Sequence, residues 1–476
     1  MISKSKKSLT EGPIVSSIIS LSIPIVFGNL LQSGYQLTDA FWVGKLGGIA
    51  VAAVSVSFPF IFLVLSLGMG FAMAGSILVA QYMGAKNREM VNHISAQTLL
   101  MVISISFILG ALGLIFSPML LHLMGVEQSV YTSALGFLRV SFLGIVSVFS
   151  FFTFQAILRG IGEVMLPIYI VLGTMLLNFV LDPLFIFGSG IIPAFGVAGA
   201  AWATFGTQTI AMIIGFVILF RGNYGIKLNL KNFIPDFSFI KKSFLLGFPS
   251  SIEMSTRALG ALVMTFLVSS FGTFTVAAYG IGSNILQIII IPAMGLAMST
   301  ATLVGQNIGA KKIDRACKIG KLSALIAVIF LSGLGVLVFS FAPYIVKFFV
   351  SNDDVVVGIG TTFLRFLTFA FPFMGIQFAF SGVLRGSGSM TTTMMISLIS
   401  QWVIQFPVAY ILSKHTTLGI KGLWLAFPIT FFLTSIITLI YFLRGNWKRV
   451  KLIDNKEQKL QKKIAIESII EEGIRQ

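Results

Sequence analysis

Runs of about 20 or more mainly apolar residues, separated by short polar stretches, recur about twelve times along this chain of 476 residues. Each is long enough for a helix to cross the hydrocarbon core of a bilayer. They lie near 14–42, 48–81, 94–120, 131–157, 164–187 and 195–220, then near 243–270, 276–305, 319–346, 357–383, 389–413 and 419–443. Composition supports the same solvent: 56% of residues are hydrophobic, 10% are charged, and the mean hydropathy is +0.96. No soluble domain of this size buries that much apolar surface. An all-α integral membrane protein of about twelve transmembrane helices is expected.

The two halves repeat. Residues from Ile23-Pro24 to Lys86 align with Phe248-Pro249 to Lys311 at a constant offset of 225, so that Gln81-Tyr82-Met83-Gly84-Ala85-Lys86 answers to Gln306-Asn307-Ile308-Gly309-Ala310-Lys311. Arg139 answers to Arg365, and Leu158-Arg159-Gly160 to Leu384-Arg385-Gly386, at an offset of 226. Six spans per half is an even number, so the repeats run parallel about an axis along the membrane normal, an arrangement frequent in secondary transporters. The expected units are an N-terminal six-helix lobe at 1–220, a cytosolic linker at 221–242, a C-terminal six-helix lobe at 243–445 and a cytosolic tail at 446–476.

A net charge of +17 invites a nucleic-acid partner, but the basic residues sit in short loops between spans. One side collects Lys86, Arg88, Arg159, Arg221, Lys227, Lys231, Lys241, Lys242, Lys311, Lys312, Arg315, Lys318, Lys321, Arg385 and the tail from Arg444; the other holds only Lys45, Lys347, Lys414 and Lys421. This is the signature of membrane orientation and predicts both termini in the cytoplasm. Lys4, Lys6 and Lys7 precede an apolar run too long for a signal peptide, so the first span is read as permanent. The tail reads as a solvated helix, basic and then acidic. Cys317 alone excludes an internal disulfide, and His93, His122 and His415 are scattered at span ends and form no metal-ligand set.

Against this apolar background, intramembrane carboxylates stand out. Asn178 and Asp182, four apart, share one helix face inside the run from Leu166 to Phe187. Asp39 sits in a comparable setting. A charge there costs roughly 2.5–3.5 kcal/mol even on lenient scales, so each carboxylate needs a cation, a proton or a wet cavity. Such oxygen donors suit a hard cation, and the same pair of carboxylates can carry protons instead. In the second half, Met264 replaces Asp39, and Glu253 and Arg257 lie four apart on the seventh span. An internal ion pair is the simpler reading of those two, and an auxiliary proton or substrate site the sharper one. Abundant Met and Phe could line an adaptable pocket between the lobes.

Together with Pro24, Phe41-Trp42-Val43-Gly44 after Asp39, Leu158-Arg159-Gly160-Ile161-Gly162, Asn178 to Pro183, and Gly196-Val197-Ala198-Gly199-Ala200-Ala201-Trp202-Ala203-Thr204, these motifs resemble the multidrug and toxic compound extrusion (MATE) transporters. The likeness is strongest to their DNA-damage-inducible-like prokaryotic branch and runs from about residue 10 to 445. The resemblance implies export of organic cations and amphipathic drugs from the cell through the inner or plasma membrane, driven by inward Na+ or H+. It places a coupling-ion site at Asp39, Asn178, Asp182 and Thr204, with Tyr35 nearby. Thr204 lies about nine residues, or about 14 Å, into its span, which allows all four to share one depth. Pro24 becomes a hinge in the first span on the family reading, or a static bend.

The expected function is therefore secondary active multidrug efflux by alternating access between two lobes. A flippase for lipid-linked precursors is the alternative, though the spans offer few of the Arg and Lys residues that would hold a pyrophosphate. A membrane-embedded enzyme would need a catalytic constellation that the spans do not show, and a channel fits the paired lobes less well. No cofactor beyond the coupling ion and no nucleic-acid partner is expected. The chain is expected to act as a monomer among membrane lipids.

Overall fold

The computed structural model describes residues 9–190, 193–350 and 353–453. The acidic half of the tail, read above as a solvated helix, lies outside the described residues, as do Lys4, Lys6 and Lys7. The N-terminal lobe contains α1 (Ile14–Gly44), α2 (Gly48–Gly84), α3 (Arg88–Leu123), α4 (Gln128–Gly160), α5 (Met165–Phe187) and α6 (Val197–Arg221). The C-terminal lobe contains α7 (Phe237–Ser269), α8 (Thr273–Gly309), α9 (Ile313–Phe349), α10 (Asp354–Thr368), α11 (Phe371–Ser387), α12 (Met390–Leu398), α13 (Phe406–Lys414) and α14 (Ile420–Arg444).

Among the described residues, eleven helical stretches are individually long and apolar enough to cross a bilayer; α10 and α11 make the twelfth as a pair bent by 48°. The tenth span is thus two helices rather than the single one that hydropathy predicts. Pro372 explains the start of α11, since a proline near the first helical position loses no intrahelical bond. The eleventh span is also irregular: α12 passes through a π-helical segment, Ile399–Gln405, before α13. By contrast α1 runs unbroken through Pro24.

The lobes meet at one end only. In α2 the stretch from Gly68 to Tyr82 is almost entirely buried, while much of the half before Ser66 is open; α8 repeats the pattern, buried from Gly295 to Asn307. Small residues allow this close approach. A Cβ at Gly84 would collide with the backbone of Gln306, and one at Gly309 with that of Gln81. The repeated motif also interlocks reciprocally: Gln81 Nε2 donates to the Gly386 carbonyl (3.0 Å) and Gln306 Nε2 to the Gly160 carbonyl (2.8 Å). Ser22 and Ser299 (2.6 Å), then Ser66 and Ser255 (2.8 Å), continue the contact to mid-depth. The described chain ends also lie at this closed end, where Asn307, Lys312 and Arg315 bond to the backbone of Leu9 to Gly12. A cleft between the lobes therefore opens on the side away from the termini.

Two arginines counted above as loop charges are drawn into the protein at helix ends. Arg385 occupies the last turn of α11 and is buried, and Arg159, its repeat equivalent in the last turn of α4, is half-buried. Arg365, the repeat equivalent of Arg139, is exposed and stacks over Phe339. The charge asymmetry between the two sides survives the loss of these two residues.

Candidate functional site

In the N-terminal lobe, α1, α5 and α6 bring Asp39, Asn178, Asp182 and Thr204 together. The spacing on α5 works as a helix face requires: Asn178 Nδ2 donates to Asp182 Oδ1 at 3.1 Å. Thr204 Oγ1 bridges the helices, donating to Asp39 Oδ2 at 3.2 Å and accepting from Asn178 Nδ2 at 3.4 Å. The two carboxylates are close enough to interact directly. Asn178 and Asp182 are wholly buried, while Asp39 and Thr204 are half-buried.

The hydrogen-bond balance is incomplete. Asp182 Oδ2 and Asn178 Oδ1 are buried acceptors with no donor, and an unmet buried polar group costs about 1–3 kcal/mol, more when charged. Two carboxylates and two neutral oxygens therefore converge with acceptor capacity to spare. That donor set fits Na+, a hard cation, and the facing carboxylates are equally a place to hold a proton. Pro183 adds to the oxygen character, because its missing N–H leaves the Phe179 carbonyl without its intrahelical donor. Among the described residues no group of three or more His, Cys, Asp or Glu could hold a metal ion.

Tyr35 lies one turn below Asp39, buried, its hydroxyl unbonded near Thr174 and Thr207. Towards the open side, the Trp42 ring packs against Phe179 at 5.6 Å and Phe187 at 6.4 Å, which covers the site. Lys45 Nζ sits 4.2 Å from the Trp42 ring centroid. The i, i+3 spacing of Asp39 and Trp42 was the available sequence signal for this cover. Pro24 stands four turns below Asp39 beside a cavity of about 30 Å³ that Asn29, Gln155, Arg159 and Glu163 also line.

The second lobe holds a different cluster. Glu253 and Arg257 do pair, with Arg257 Nη2 donating to Glu253 Oε1 at 3.0 Å. Arg385 is a third member that sequence reasoning missed: its Nη2 donates to the same Oε1 at 2.5 Å. Glu253 is 3% exposed and Arg385 is 7% exposed, so both are interior charges.

Known proteins resemble this chain in both lobes. The MatE family model matches residues 24–184 and 249–411, once per lobe. A probable multidrug resistance protein of Bacillus subtilis, YpnP, is 31% identical over 94% of this chain and 99% of its own length. The probable multidrug resistance protein NorM of Thermotoga maritima is 26% identical over 94% of this chain and 96% of its own length. A solved structure described as the outward-facing conformation of a multidrug resistance MATE family transporter superposes with a TM-score of 0.86. It is 24% identical and covers 95% of this chain and 100% of that one.

Proposed function

Since the chain belongs to the MATE family of transporters, we propose that it exports amphipathic drugs, organic cations among them, in exchange for Na+ or H+ taken up at Asp39, Asn178, Asp182 and Thr204. The observation that carries the ion site is the pair of buried, donorless oxygens, Asp182 Oδ2 and Asn178 Oδ1, beside a second carboxylate. A site built this way is incomplete until a cation or proton joins it. The names of the relatives, multidrug resistance proteins, support the cargo.

The basic loops at the closed end favour a cytoplasmic position for it and for both termini. The conformation is then outward-facing, with the cleft open to the exterior of a plasma or inner membrane. Substrate and ion can exchange only if each disfavours the other, and such coupling is reciprocal. The ion site lies between α1, α5 and α6, so its occupancy biases how these helices pack and hence the shape of the cleft wall. α1 carries both Asp39 and Pro24, which makes it the element best placed to respond. A lipid-linked precursor flippase fits less well, because the N-terminal half of the path is acidic.

Purified protein in proteoliposomes tests the proposal, with Na+ and pH gradients imposed separately and uptake of ethidium followed by fluorescence. Acceleration by at least one outward-directed gradient, with the ion higher inside the vesicle, is expected. Transport indifferent to both would overturn the coupling.

A further inference from the structure

Arg257 and Arg385 place two guanidinium groups on one carboxylate oxygen, Glu253 Oε1. The cluster therefore carries one positive charge more than it neutralises. Nothing else in the lobe balances it: the other acidic residues described there, Asp314, Asp353 and Asp354, lie at helix starts. An unbalanced interior charge in a membrane lobe is costly, and one arginine would have sufficed for an internal pair. The repeat does not demand the arrangement either. The equivalents of Glu253 and Arg257 at the offset of 225 are Gly28 and Gln32, and only Arg385 has a matching arginine, Arg159.

Its surroundings are those of a site. The side chain of Arg257 remains 36% exposed, although it shares the inward face of α7 with Glu253, Gly260 and Met264. Its guanidinium lies 5.3 Å from the ring centroid of Phe378, two turns along α11 from Arg385 on the open side. The π-helical segment seats the Gln401 side chain against Gly260, one turn beyond Arg257. Such π segments recur at functional positions. Arg385 Nε and Glu253 Oε2 have no partner, so the cluster can still take an acceptor and a donor. A guanidinium fork matches a carboxylate in two parallel bonds, and Phe378 supplies apolar surface beside it.

We propose that Arg257 and Arg385, held by Glu253, bind the carboxylate of an amphipathic substrate in the C-terminal half of the cleft. This deepens the export reading by extending the substrate class to organic acids and zwitterions, and it rests on the cleft being the substrate path. The lobes then divide the work: two interior carboxylates serve the ion in one, and a surplus guanidinium serves the cargo in the other.

The test is equilibrium binding to the purified full chain in lipid nanodiscs, with no ion gradient. The probes are tritiated 1-naphthaleneacetate and its uncharged amide, 1-naphthaleneacetamide. Wild type should prefer the acid by about tenfold or more, which corresponds to about 1.4 kcal/mol. Arg257→Gln should abolish the preference, and Glu253→Gln, which removes the internal anion, should tighten the acid several-fold. Should Glu253→Gln fail to fold, the part-exposed Arg257→Gln decides alone. Equal binding of acid and amide, a preference that survives Arg257→Gln, or displacement of the acid by equimolar chloride or inorganic phosphate would overturn the proposal. Because no gradient is involved, a negative result here leaves ion-coupled export standing, and a failed flux assay leaves this result standing.

Discussion

Gly309→Ala offers a calculable push on the closed end of the cleft. The added Cβ would fall inside the contact distance of the Gln81 carbonyl oxygen, a backbone atom that no rotamer change can move aside. A carbon normally stays about 3.3 Å or more from a carbonyl oxygen, so α2 and α8 must separate. Overpacking of this kind costs about 1–3 kcal/mol. The penalty falls only on the state in which the lobes meet here, so the ratio of open to closed ends should rise roughly 5- to 150-fold. Spin labels at Arg88 and Lys318, both exposed and one per lobe, on a Cys317→Ser background, would report the separation by pulsed electron resonance. Gly173→Ala serves as control, since a Cβ there meets nothing within 4 Å. A longer-distance population should grow in Gly309→Ala and not in the control. An unchanged distance distribution in folded protein would refute the view that these glycines hold the lobes closed.

Asp39→Asn keeps the shape of the side chain but removes its charge, and should abolish gradient-driven export while leaving the protein folded; wild-type flux in a monodisperse variant would sink the assignment. Asn178→Ala removes a buried oxygen and the donor to Asp182, and should weaken ion affinity by about tenfold or more, given about 1.5–3 kcal/mol for a hydrogen bond to a charged group; equilibrium ion binding checks it. Pro24→Ala should slow turnover several-fold with ion affinity little changed, and normal turnover would mean that Pro24 is a static bend.

Residues whose chemistry contradicts their surroundings were legible in the sequence. Asp39, and Asn178 with Asp182 one turn on, announced themselves because an apolar span has no use for a carboxylate. Thr204 and Tyr35 had no such contrast and came through the family resemblance. Arg385 was misread because hydropathy ends the span two residues before it, and a charge at a span end looks like a loop charge. Its partner Glu253 sits on another helix more than a hundred residues away, so no local spacing could connect them. The break between α10 and α11 had a signal in Pro372, but an average over apolar residues passes across it. The π segment had no signal at all, since register within a span leaves hydropathy unchanged. The repeated Gln81 and Gln306 motif revealed the symmetry. Its reciprocal bonding to Gly386 and Gly160 depends on how the lobes dock, which the repeat does not state.

Competition between ion and cargo bears most directly on the central claim. Ethidium binding to detergent-purified protein would be titrated with and without saturating Na+, and at acidic against neutral pH, in wild type and Asp39→Asn. A coupled exchanger requires Na+ or protons to weaken ethidium binding by about 5- to 150-fold, the usual span of such coupling, with the effect lost in Asp39→Asn. Ethidium affinity independent of both ions in wild type, or an effect that persists undiminished in Asp39→Asn, would contradict coupling through the Asp39 and Asp182 site.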